Sequence, residues 1–135
     1  MNIRSIDHFV LVVLNIETTV KFYTRVLGLE AREIAPGRWA LHFGNQKINL
    51  QQLHSSVDPQ TLHPSRGAGD FCLLTDTPMD EVVSHLHREN VRIIDGPVQR
   101  TGACGALMSV YFYDPDENLV EISNRLPARS GAQSA

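Results

Sequence analysis

Four polar residues interrupt apolar runs in this 135-residue sequence: His8 in "DHFVLVVL", Asn49 in "KINLQQL", Asp70 in "GDFCLLTD" and Glu121 in "NLVEIS". An ionised carboxylate in an apolar strand is costly unless it is paired or bound to a cation. One His, two carboxylates and one amide oxygen make a hard, oxygen-rich donor set. Such a set suits Mn²⁺, Fe²⁺, Ni²⁺, Zn²⁺ or Mg²⁺, with positions left for water or substrate. Gln51 points to the same strand face as Asn49 and is the alternative fourth donor. Each residue also has an ordinary use. His8 can hydrogen-bond in a core, Asp70 can cap a turn after "GAG", and Glu121 can lie on a solvated face.

The elements that must position these residues come in two similar sets. Residues 5–14 become continuously apolar, as a buried strand does. "NIETTVKFYTRVLGL" reads as a helix with Asn15 as N-cap and Gly28 as its stop. "LEAREIAP", "RWALHFG" and "KINLQQL" read as strands divided by turns at "PG" and "GN". The first half is therefore βαβββ. Residues 54–69 are polar and rich in Pro, Gly and Ser, as a linker or site-lining loop would be. The order then recurs. "DFCLLTD" is a strand, and "TPMDEVVSHLHREN" is a helix with Thr77 as N-cap. "VRIIDGPV" is a strand and "RTGACGA" a glycine loop. "LMSVYFYDPDENLVEIS" is a hairpin turning at "DPDEN".

The chain thus carries an internal repeat. His8 falls on Asp70 at an offset of 62 residues, and Asn49 falls on Glu121 at an offset of 72. If two such halves are pseudo-symmetric, equivalent strand positions converge. The four polar residues are then two pairs in one set.

Other residues have a weaker chemical signal than this set. Arg66 and Arg100 lie by the two glycine-containing loops and are candidates for binding an anionic substrate; ordinary surface arginines are the alternative. Tyr111 shares a strand face with Tyr113, opposite Phe112, and can line a pocket or pack in a core. "HLH" at 85–87 is not a metal pair, because i and i+2 do not share a helix face. His42, His54 and His63 show no ligand spacing. Cys72 and Cys104 form no CxxC motif and read as reduced thiols of a cytoplasmic protein.

Composition sets the outer bounds. A net charge of −3 and 20% charged residues point to an ordinary globular domain with no nucleic-acid partner. The run "FVLVVL" is far too short to span a membrane, and "MNIRSID" does not read as a signal peptide.

"IDHFVLVV", a helix ending "FYTRVLGL", and "YFYDPDENLVEIS" resemble the vicinal oxygen chelate superfamily. This is the group of glyoxalase I, the fosfomycin- and bleomycin-resistance proteins and the extradiol dioxygenases. The resemblance covers residues 3 to 126. More narrowly, "KINLQQ", "DFCLLTDTP" and "GPVQRTGACG" followed by "SVYFYDPD" resemble the glyoxalase-domain-containing 5 subgroup, lactoylglutathione lyase-like and virulence-associated. The resemblance implies an α+β fold of two tandem βαβββ modules whose cupped mixed sheets enclose a cleft. Their spans are about 3–53 and 70–126, with a linker at 54–69 and a tail at 127–135, all within one domain of 1–135.

It also implies a divalent metal at His8 and Glu121, the superfamily's usual positions, with Asp70 and Asn49 in the other two. The metal acts as a Lewis acid that chelates a small oxygenated substrate and stabilises an enolate or oxyanion, while Glu121 or a metal-bound water moves the proton. A homodimer is expected because related proteins pair modules within or across chains. The sequence departs from glyoxalase I, which carries Glu where Asn49 stands and His where Asp70 stands. One of two candidate bases is therefore missing, which argues against hemithioacetal isomerisation. A single His in the set argues against ring cleavage. The expected function is a metal-dependent lyase or isomerase. The alternatives are a metal-free binding protein of the bleomycin-resistance type, a ring-cleaving dioxygenase or a thiol transferase of the fosfomycin-resistance type. Glu117 stands where the family has Gly in the "DPDEN" turn, and it is strained if that turn needs a positive φ.

Overall fold

The computed structural model describes residues 1–128, so positions 129–135 of the expected tail lie outside the described residues. The described residues form two compact units: residues 1–69 with Pro115–Glu117, and residues 70–114 with residues 118–128.

The first unit runs β1 (His8–Val13), α1 (Ile16–Leu27), β2 (Glu30–Ala35), β3 (Arg38–Phe43) and β4 (Gln46–Gln52). Its sheet has the order β1-β4-β3-β2, with β1 and β4 parallel and the other pairs antiparallel. Helix α1 starts and stops at the expected residues. The Asn15 side chain accepts from the Thr18 N–H at 2.9 Å, which satisfies one of the donors left open at a helix start. Gly28 ends the helix at φ 66°, in the left-handed region where it has no Cβ penalty. Tyr23 and Val26 face Leu11, Val13, Leu41 and Ile48, all at most 4% exposed. Each such side chain contributes about 1.5–3 kcal/mol by leaving water.

The second unit runs β5 (Asp70–Leu74), α2 (Met79–Arg88), β6 (Asp95–Gly102), β7 (Gly105–Tyr113) and β8 (Leu119–Arg125). The sheet order is β5-β8-β7-β6, again with one parallel pair, β5 with β8. Val110, Phe112, Val120 and Ile122 alternate onto the face shared with Val82 and Leu86 of α2. The two halves have the same topology, as the repeat predicts.

Two local expectations need correction. Helix α2 is capped by Pro78 rather than Thr77. The Thr77 carbonyl accepts from Asn124, so the Pro78 carbonyl takes the first helical bonds, from Glu81 and Val82. The expected glycine loop at 100–106 is a hairpin. β6 begins only at Asp95 and continues to Gly102, which pairs with Gly105 across a two-residue turn. A Cβ on Gly102 would come within 2.8 Å of Leu107, so close strand packing explains this glycine.

The "DPDEN" turn links two networks. In the second unit, Asp114 accepts from the backbone and side-chain nitrogens of Asn118, each at 2.9 Å. In the first, buried Asp116 accepts from the Leu14 N–H at 2.8 Å, Arg66 Nε at 3.0 Å and Thr19 Oγ1 at 3.3 Å. Glu117 between them has φ 68°, the positive φ anticipated from the missing glycine. Its contact with Arg66 is long, 3.9 Å, and its own side chain is 78% exposed, so little is lost with the carboxylate. Glu117→Gly is expected to stabilise the fold by about 0.5–1 kcal/mol, because Gly removes left-handed strain but gains unfolded-state entropy. Urea denaturation checks this. A midpoint that falls on substitution rejects the strain argument.

Candidate functional site

Each sheet has one face packed on its helix and one face that carries polar residues. On the first sheet, register aligns His8, Lys47, His42 and Glu30 in one row across β1, β4, β3 and β2. The next row is Val10, Asn49, Ala40 and Arg32, and Gln51 follows two residues beyond Asn49. Strand alternation puts His8, Asn49 and Gln51 on the face away from α1.

His8 Nδ1 lies 2.8 Å from Asp7 Oδ2. That hydrogen bond is the main reason the Asp7 carboxyl sits below the usual range, with the charges of His8 and Lys47 adding to it. A ring held this way at Nδ1 keeps Nε2 as its ligand atom. Asn49 Oδ1 is buried and has no hydrogen-bond partner among the described residues. Such an atom calls for an explanation, since buried acceptors are nearly always satisfied. Gln51 is buried too, but its Nε2 donates to Gln60 Oε1 at 2.7 Å. Of the two amides, Asn49 has the buried oxygen without a partner among the described residues.

On the second sheet the corresponding row is Cys72, Glu121, Tyr111 and Asp95. Asp70, two residues before Cys72, is exposed on the same face. Ser123 Oγ donates to Glu121 Oε2 at 3.2 Å and lies 2.6 Å from Ser109 Oγ and 3.1 Å from Cys72 Sγ. Partial burial pushes the Cys72 thiol up from its ordinary value, with its hydrogen bond to Ser123 opposing the shift. Burial likewise raises Tyr111, with Glu121 adding to the shift and Arg100 opposing it. Arg100 Nε donates to the Tyr111 hydroxyl oxygen at 3.1 Å while Nη2 holds Asp95 at 3.0 Å. Arg100 Cζ also lies 5.5 Å from the Tyr111 ring centroid. The phenol therefore accepts from Arg100, while its own O–H is directed to Glu121.

The register repeats from one sheet to the other. His8 opposes Lys47, with Asn49 two residues further along β4. Asp70 opposes Leu119, with Glu121 two residues further along β8. Arg66 is held differently from Arg100. Its Nε and Nη2 engage Asp116 and the Pro115 carbonyl, anchoring the turn. Among the described residues of one chain, no three His, Cys, Asp or Glu side chains gather into a metal-holding group.

Sequence reasoning missed Ser109 and Ser123, whose signal was their spacing of two from Tyr111 and Glu121. It also set aside His42, whose Nε2 is buried without a partner among the described residues. Asp7 carried no signal beyond adjacency to His8.

The chain belongs to the Glyoxalase/Bleomycin resistance protein/Dioxygenase superfamily, whose pattern it matches over residues 5–122. It is 48% identical over 123 residues to Virulence protein STM3117 of Salmonella typhimurium, covering 91% of this chain and 85% of that protein. An integron cassette protein from the mobile metagenome of V. cholerae has the same fold. The two superpose with a TM-score of 0.91 at 46% identity, over 93% of this chain and 98% of that one. A lactoylglutathione lyase from Agrobacterium tumefaciens aligns with a TM-score of 0.71 at 25% identity, over 91% and 95% of the two chains.

Proposed function

We propose that this protein is a divalent-metal-dependent lyase or isomerase acting on a small oxygenated substrate. The observation that carries the reading is the repeated register, which gives His8–Asn49 and Asp70–Glu121 equivalent places on two polar sheet faces. The donors suit a divalent cation: an imidazole oriented by Asp7, a buried amide oxygen without a partner, and two carboxylates. His8, Asn49, Asp70 and Glu121 would hold it, with Gln51 as the substitute for Asn49. Bound there, the cation supplies Lewis acidity to adjacent substrate oxygens. The same reading has a cytoplasmic homodimer, in which donors can come from two copies.

The chain's own groups divide the remaining work. Glu121 takes and returns a proton at a carboxylate oxygen, and Ser123 restrains it by donating to Oε2. Tyr111, its hydroxyl set by Arg100 and hydrogen-bonded to Glu121, turns its O–H to a substrate oxygen when Glu121 takes up the proton. Arg100 adds positive charge on the same face. Arg66 acts through the turn that it anchors.

The test is metal analysis of the purified chain after loading with Mn²⁺, Ni²⁺, Fe²⁺, Zn²⁺ or Mg²⁺. About one ion per chain is expected, and His8→Ala is expected to lose it, since even removing a ligand's hydrogen-bond partner costs about 10–100-fold in affinity. No stoichiometric ion, together with an unaffected His8→Ala variant, rejects the reading. In that case, tight binding of an aromatic or amphipathic ligand would select a metal-free binding protein.

A further inference from the structure

Along β4 the polar face of the first sheet carries Lys47, Asn49 and Gln51. Lys47 and Asn49 are half-buried, and Gln51 is only 9% exposed. Gln60, from the polar segment that follows β4, is bonded to it. Gln51 Nε2 donates to Gln60 Oε1 at 2.7 Å, and Gln60 Nε2 donates to the Ser55 carbonyl at 3.2 Å. The chain around Ser55 is tied to the end of the sheet. Its N–H donates to the Gln52 carbonyl at 3.0 Å, and the Leu53 N–H donates to the Val13 carbonyl at 2.8 Å. These contacts settle which way each amide faces. The two ends of an amide have nearly the same shape, so its orientation follows from its partners. A carbonyl oxygen only accepts, so the Ser55 carbonyl requires the nitrogen of Gln60. The Gln60 oxygen is then left for Gln51, which must meet it with nitrogen. The free end of Gln51 is its oxygen, which has no hydrogen-bond partner among the described residues. Nor is it one of the buried atoms without a partner, which are His42 Nε2 and Asn49 Oδ1, so it is open to solvent.

We propose that Gln60 is a positioning residue: it holds the Gln51 amide by its nitrogen and so presents Gln51 Oε1 as an open acceptor on the polar face of the first sheet. An amide oxygen fixed in this way takes a hard divalent cation, and for that ligand the inference rests on the metal reading above. Without Gln60 the amide is free to turn its NH₂ outward, and an N–H donor repels a cation. The segment between β4 and β5 therefore does more than join the two units. Through Gln60 it decides which end of a site-face amide meets the ligand.

The experiment follows the Gln51 side-chain NH₂ in the ¹H–¹⁵N spectrum of metal-free protein, and Mn²⁺ affinity by calorimetry. The wild type is compared with Gln60→Met, Gln60→Glu and Gln51→Ala. In the wild type the Gln51 NH₂ protons should be shifted away from free-amide positions and show a contact to Gln60. Gln60→Met keeps the length of the side chain but not its acceptor. It should return those signals to free-amide positions and weaken Mn²⁺ by about tenfold, with an unchanged melting temperature because Gln60 is exposed. Gln60→Glu still accepts from Gln51, so it should keep the signals and lose no affinity. Gln51→Ala should weaken Mn²⁺ at least as much as Gln60→Met, and adding Gln60→Met to it should cost nothing further, because the effect passes through Gln51. Unmoved Gln51 signals in Gln60→Met, or the same Mn²⁺ loss with and without Gln51, overturns the proposal. If Gln51→Ala fails to fold, the spectra of the two Gln60 variants still decide. Mn²⁺ bound equally by the wild type and Gln60→Met rejects the positioning role and leaves the metal reading. No Mn²⁺ bound by the wild type, with Gln51 signals that depend on Gln60, rejects the metal reading and supports Gln60 as positioning an acceptor for a substrate N–H or O–H.

Discussion

Glu121→Gln is expected to lower turnover by about 10²- to 10⁴-fold, the usual contribution of a positioned general base, while leaving the melting temperature nearly unchanged. Gln has the same shape and still offers an oxygen to Ser123, which donates to Glu121 Oε2 at 3.2 Å. What it lacks is the ability to take a proton. The readouts are conversion of the methylglyoxal–glutathione hemithioacetal and exchange of the substrate carbon proton with D₂O. A variant that keeps wild-type exchange would show that the proton moves elsewhere. If the wild type is inert to this probe with metal bound, this substrate is removed and another lyase or isomerase reaction stands. Asn49 makes that outcome informative, because an amide occupies the place where glyoxalase I has a second carboxylate.

Gly96→Ala is expected to destabilise the protein by about 3 kcal/mol or more, combining backbone strain with overpacking. Gly96 has φ 96°, and an added Cβ would lie 2.3 Å from the Ser109 carbonyl oxygen and 3.0 Å from Val110 Cα. Both obstacles are backbone of β7, a central strand that cannot swing aside as a side chain would. The register shift between Asp95 and Val98 marks the same place. For a chain of this length the melting temperature should fall by roughly 10 °C. A loss under about 1 kcal/mol in denaturant unfolding would mean that β6 gives way easily. The effect reaches the site, because displacing Ser109 disturbs Ser123, and through it Glu121.

Much of the scaffold is determined locally. Asn15 and Gly28 end α1 through bonds and φ values that involve only neighbouring residues. Alternation in "LVEIS" and "SVYFY" assigns faces, so Phe112 is buried while Tyr113 is 52% exposed. The strain at Glu117 could be foreseen because a turn geometry belongs to a short stretch of chain. Where a competing partner came from far away, local reading failed. Thr77 loses the N-cap to Pro78 because Asn124, 47 residues on, takes its carbonyl. The glycines at 102 and 105 read as a loop because their role is strand pairing, which spacing does not reveal.

The sequence by itself determined the duplicated βαβββ order and the equivalence of His8 with Asp70 and Asn49 with Glu121, since both follow from periodicity and residue type. Only the tertiary structure decided which polar groups are already satisfied. Arg66 is bound to Asp116, Gln51 to Gln60 and Arg100 to Tyr111, whereas Asn49 Oδ1 and His42 Nε2 have no partner among the described residues. The physical reason is that a residue's type sets what it can bond. Strand register and burial set which partners lie within reach, and these are properties of the folded chain.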